Sequence, residues 1–115
     1  MISMTVPLTK TGTESLIYSP KLLLTGTTIN LAIAEVFDRF ATPLTGSTTF
    51  TITNPILYKG FRLKLKGGSI PAQPFAGYTA TWALNSLNTD YDATNGSWLN
   101  CEIRDGSTIH LFWGE

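Results

Sequence analysis

The sequence predicts an all-β domain, and three observations carry that expectation. Short runs alternate apolar and polar residues with period two. Threonine, glycine, serine and asparagine interrupt those runs every six to ten residues. Only Leu31 to Ala41 has the length of a helix, and Val36, Phe37 and Phe40 fit neither period there. Regularly spaced short strands with turn signals point to a sandwich or barrel. The expected architecture is a single antiparallel β-sandwich, jelly-roll-like, over residues 25–115. An N-terminal arm or edge strand is expected at residues 1–24.

Taken in order, the first residues up to Tyr18-Ser19-Pro20-Lys21 alternate weakly and contain two prolines, as an arm would. "TINLAI" then puts Ile29, Leu31 and Ile33 on one side. "LAIAEVFDRFA" reads as strand, turn, strand, because its Thr-rich flanks favour extended backbone. "TTFTIT" puts Phe50 and Ile52 inward and Thr49, Thr51 and Thr53 outward. "GFRLKLKGG" sets Phe61, Leu63 and Leu65 against Arg62, Lys64 and Lys66. "YTATW" sets Tyr78, Ala80 and Trp82 against Thr79 and Thr81.

The last element turns on Asp105-Gly106, a strong hairpin signal between two β-rich runs. A two-residue loop would mix apolar and polar residues on both faces. A three-residue loop, Arg104-Asp105-Gly106 with Gly106 left-handed, sorts them. It pairs Ile103 with Ser107, Cys101 with Ile109 and Leu99 with Leu111, and Trp113 continues that apolar face. The other face then pairs Glu102 with Thr108, Asn100 with His110 and Trp98 with Phe112. Cys101 points inward and His110 outward, so the chain's one cysteine and one histidine cannot form a joint metal or nucleophilic site.

Composition narrows the function classes. The 115 residues make one ordinary domain, long enough to bury roughly two-thirds of its unfolded surface. Charged residues are only 14%, against roughly 25% in an average soluble domain. Eight basic residues balance eight acidic ones, so no global field draws the chain to nucleic acid or to an acidic membrane. A surface this poor in charge suits burial against another subunit. A single cysteine excludes an internal disulfide. The first twelve residues lack a basic region followed by a long apolar run, which argues against a signal peptide. No apolar run approaches the roughly 18 residues of a membrane helix.

Three further groupings invite a functional reading. Asp90 and Asp92 have the spacing of the first two ligands of a calcium loop, followed by Asn95-Gly96 and Glu102. The glycine and the glutamate sit one position late and no helix flanks the loop, so a turn stabilised by Asp and Asn side chains is expected instead. Asn95-Gly96-Ser97 is also a glycosylation sequon. Arg62, Lys64 and Lys66 line one strand face near Lys59. They suit an acidic partner surface, phosphate or anionic sugar, or a solvated face that blocks edge pairing. Of Trp82, Trp98, Trp113, Tyr78 and Tyr91, which could form a sugar-stacking platform, Trp82 and Trp113 read as core. Trp98 beside Phe112 is the exposed aromatic candidate. No catalytic residue, metal site or cofactor site is expected.

The order of these features resembles a β-rich module of bacteriophage virion proteins, found in tail fibres and on capsid surfaces. The resemblance rests on Thr45-Gly46-Ser47-Thr48-Thr49-Phe50, Asn54-Pro55, Gly67-Gly68, Thr81-Trp82 and Asp105-Gly106, and spans about Thr27 to Gly114. It implies a non-enzymatic virion structural protein, made in the host cytoplasm and residing in the particle. Lacking a shaft or coiled coil, the chain fits a capsid-surface auxiliary or decoration protein. Its partners would be other virion proteins and further copies of itself, with a trimer in view. The alternative is a tail-fibre or tail-tip module that binds a receptor or host-surface glycan. On either reading the candidate contacts are Trp98, Phe112, Arg62, Lys64 and Lys66.

Overall fold

A computed structural model describes residues 21–83 and 85–114. The expected arm at residues 1–24 therefore lies outside the described residues except for its last four. The described chain is nearly all-β, with ten short strands and one 3-10 turn at Asn88–Asp90. The strands are β1 (Lys21–Leu23), β2 (Thr28–Asn30), β3 (Val36–Asp38), β4 (Leu44–Ser47) and β5 (Thr51–Thr53). They continue as β6 (Gly60–Leu65), β7 (Gly67–Ser69), β8 (Thr79–Trp82), β9 (Ser97–Ile103) and β10 (Thr108–Trp113).

Six strands form the main sheet in the order β1-β3-β6-β9-β10-β8; β2 pairs with β5 and β4 with β7 in two small ladders. The antiparallel arrangement expected from the sequence is corrected here, because the sheet is mixed. Only β6–β9 and β9–β10 run antiparallel. The pairs β1–β3, β3–β6, β8–β10, β2–β5 and β4–β7 are parallel. Antiparallel neighbours can be joined by a tight turn, whereas parallel ones need a crossover. The chain spends residues 39–59 between β3 and β6, so these neighbours meet in the same direction.

Alternation decides which side chains face the core. Phe61, Leu63 and Leu65 are buried in β6, as are Leu99, Cys101 and Ile103 in β9 and Ile109 and Leu111 in β10. Phe37, Phe50 and Phe75 complete the core with Ile29 and Leu44 from the small ladders. Each fully buried side chain of this size is worth roughly 1.5–3 kcal/mol of transfer free energy. "LAIAEVFDRFA" was expected as strand, turn, strand, but it holds one strand, Val36–Asp38, between a turn at Leu31–Ile33 and another that begins at Phe40. "TINLAI" is shorter than expected, and Ile33 is exposed rather than inward. Asn30 ends β2 there: its Oδ1 accepts from the Ala32 amide at 2.9 Å, and its carbonyl accepts from the Ile33 amide at 3.2 Å. Such local side-chain bonds compete with the ladder.

Glycine is obligatory where β4 meets β7. Gly67 and Gly68 have φ of +78° and +60°. A Cβ on Gly67 would lie 2.6 Å from the Leu44 carbonyl oxygen, and one on Gly68 2.5 Å from that of Gly46. Arg39 is the buried charge that sequence patterning missed. Its Nε donates to the Thr42 carbonyl and its terminal nitrogen to that of Gly26, at 2.9 and 2.7 Å, pinning two loops.

The closing hairpin has the expected faces and different partners. Ile103 pairs with Ile109, Cys101 with Leu111, Leu99 with Trp113, Glu102 with His110 and Asn100 with Phe112. The pairing is two residues along from the expected one, so inward and outward assignments survive. The loop is Asp105-Gly106-Ser107, closed by the Arg104 amide on the Thr108 carbonyl at 2.9 Å. The Asp105 carboxylate accepts from the Ser107 amide at 2.8 Å and supplies the turn that a left-handed Gly106 was expected to provide. Gly106 is not among the positive-φ residues.

Candidate binding surface

The outward face of the main sheet collects every candidate contact except Lys66, which follows β6 directly. Strand registers set its rows. Leu23, Asp38, Lys64 and Trp98 lie side by side across β1, β3, β6 and β9. The next row is Lys21, Val36, Arg62, Asn100 and Phe112, and beyond it stand Gly60, Glu102, His110 and Thr81.

Trp98 and Phe112 do not pair directly as the sequence suggested. Trp98 is half-buried under cations. The Arg62 guanidinium lies 4.1 Å from its ring centre and Lys64 Nζ 5.3 Å away. Lys64 also sits 5.4 Å from the ring of Phe40, and Lys66 4.5 Å from the same ring. Cations and rings thus alternate as Lys66, Phe40, Lys64, Trp98, Arg62, each contact of a type worth roughly 0.5–1 kcal/mol at exposed sites. Phe40 was missed from sequence, because nothing local shows that the 39–42 turn folds it over Gly96. A Cβ on Gly96 would meet that ring at 2.9 Å. Phe112 is 49% exposed and stands apart in the second row.

Beside this ladder runs a trough of about 590 Å³ lined by Val36, Gly60, Arg62, Thr81, Asn100, Glu102, His110 and Phe112, with Glu35 at its rim. Gly60 makes its floor, since a Cβ there would meet only the Cys101 carbonyl at 3.8 Å. The carboxylates have cationic partners: Glu35 meets Lys59 at 2.6 Å and Glu102 meets Arg104 at 3.4 Å. Arg104 also lies 3.3 Å from His110 Nδ1. A guanidinium only donates, so Nδ1 accepts and the ring proton sits on Nε2. None of the ion pairs described includes Arg62, and its Nε is buried with no hydrogen-bond partner.

The remaining candidates resolve into structural roles. Cys101 is buried on the core face, and burial pushes its thiol well above the ordinary value. His110 is on the opposite face. Trp82 and Trp113 stack at 5.8 Å and Tyr91 stacks on Trp113 at 5.2 Å, so these rings give their faces to one another and not to a sugar. Their polar ends bond the backbone carbonyls of Ala72, Leu87 and Gly67. Asp90 accepts from the Leu87 amide, and Asp92 from the amides of Thr94 and Asn95. The suspected calcium ligands are therefore turn-forming acids. No group of three or more His, Cys, Asp or Glu that could hold a metal occurs among the described residues. Nor is any described helix long and apolar enough to cross a membrane.

A second surface was not foreseen. Ile33, Ile56, Leu57 and Tyr58 are 56, 39, 52 and 65% exposed, where β2 and β5 end side by side. Asn54 and Tyr58, which bound this loop, have φ of 53° and 61°, left-handed values that non-glycine residues seldom adopt. Comparison with family models, characterised proteins and solved structures gives no match.

Proposed function

We propose that this chain is a non-enzymatic bacteriophage virion protein, an auxiliary or decoration protein on the capsid surface that binds neighbouring subunits and copies of itself. The observation that supports it best is the apolar end built from Ile33, Ile56, Leu57 and Tyr58 on a chain with 14% charged residues. A loop held at two left-handed positions, Asn54 and Tyr58, presents Ile56, Leu57 and Tyr58 to solvent. Burial against a partner is the usual reason for such a patch. The resemblance to virion modules supports the same reading, since it covers turns and core positions and carries no catalytic residue. On this reading β2–β5 and β4–β7 form the second layer of a sandwich over the main sheet, with Ile29 and Leu44 in its core.

Sedimentation of the full chain tests the assembly. The wild type forms a discrete oligomer, a trimer on this account, and Leu57→Glu shifts it to monomer with unchanged circular dichroism. A wild type that stays monomeric at all concentrations would contradict it.

A further inference from the structure

We infer that the trough on the outward sheet face is a saccharide site, specific for a sugar bearing a carboxylate. Four observations point to this class of ligand. The volume of about 590 Å³ lies within the usual range of small-ligand sites, roughly 300–1,000 Å³. Its one exposed aromatic ring is the half-exposed Phe112, a flat surface suited to the C–H face of one pyranose. Around it, Asn100, Glu102 and His110 offer both acceptors and donors from adjacent strands, which suits hydroxyls that donate and accept at once.

The fourth observation sets the charge. Glu35 and Glu102 are each matched by a cation, whereas Arg62 sits over the Trp98 ring and is in none of the described ion pairs. The net charge offered to a ligand is therefore positive and comes from a guanidinium already fixed in place. Guanidinium and carboxylate match geometrically as a two-pronged pair. A peptide would need pockets for several large apolar side chains, and the trough offers one exposed ring, Phe112, with the smaller Val36 and Ala83.

Gly60 provides a clean block. Its backbone is unstrained and a Cβ has room, so Gly60→Tyr projects a ring into the trough and leaves the core alone. The test is retention of the full-length wild-type chain on an array of uronate-bearing, sialate-bearing and neutral oligosaccharides. One or more acidic sugars should be retained. Gly60→Tyr and Phe112→Ala should each weaken that binding by about ten-fold or more, with unchanged thermal unfolding. Arg62→Gln should remove the preference for acidic over neutral sugars. No retention on any arm, or retention that Gly60→Tyr leaves intact, overturns the proposal; so does capture by a single-stranded nucleic acid probe alone. The site does not depend on the virion assignment, since sugar binding and incorporation into particles are measured separately.

Discussion

Arg62 sits over Trp98, its guanidinium carbon 4.1 Å from the ring centre, across the β6–β9 pair. Neighbouring residues on one face of an antiparallel pair hold each other in place. Replacing Trp98 by alanine should therefore free Arg62 and destabilise the chain by about 1–2 kcal/mol. Thermal unfolding measures the loss. In the proton spectrum, the Arg62 side-chain resonances should lose the upfield displacement imposed by the indole ring.

Gly67 and Gly68 should tolerate no side chain. Alanine at either position places a Cβ against the backbone of β4, at 2.6 and 2.5 Å, in a left-handed conformation. The expected loss is about 2–4 kcal/mol for each, read from chemical denaturation. Gly60→Ala, with open space around its Cβ, is the matched control and should change stability by less than about 1 kcal/mol.

The hairpin turn rests on Asp105. Its carboxylate is held below the ordinary aspartate range chiefly by the Ser107 amide, and that of Asp92 by the Asn95 amide. A lowered folded pKa means that stability is present above the unfolded value, about 3.9, and is lost as pH falls through the folded one. Asp105→Asn should keep the turn at neutral pH and remove this part of the acid sensitivity. Asp105→Ala should lower the unfolding midpoint by a few degrees at pH 7. Unfolding curves taken from pH 7 down to pH 2 separate the two.

The same hairpin shows what was legible in the sequence. Side chains alternate with period two, so sorting apolar from polar residues fixes which face each one takes. That placed Cys101 inward, and His110, Trp98 and Phe112 outward. A shift of two residues keeps every face, so partners cannot be told apart this way. They were decided by the Asp105 side chain closing on Ser107 rather than by Gly106. Crossover connections were equally hidden. Nothing local says that β3 and β6 meet in parallel after twenty-one intervening residues. The trough was invisible for the same reason, because Arg62, Asn100, His110 and Gly60 meet only through strand order. Its one local hint was a glycine at an outward position of a strand.

Alkaline pH should weaken the fold in two stages. Burial raises the Cys101 thiol well above its ordinary value, and burial with help from Asp92 pushes Tyr91 up to about 12 from 10.0. Both folded values are raised, so their stabilisation is complete below the unfolded pKa and falls as pH climbs through that value towards the folded one. The first decline should begin near pH 8.5, where an unfolded thiol titrates, and the second above pH 10. Cys101→Ala should abolish the first stage while leaving the second. A thiol reagent at pH 7 should label the native chain only as fast as it opens.

The apolar end of Ile33, Ile56, Leu57 and Tyr58 bears on the central claim, that this chain belongs to a particle. Mass spectrometry of purified phage particles, made from the genome that encodes the chain, tests it most directly. The wild-type chain should be present at a fixed, stoichiometric copy number, and should be lost from particles when Leu57 is replaced by glutamate. A chain that is well expressed and folded, yet absent from the particles and monomeric in the lysate, would contradict it.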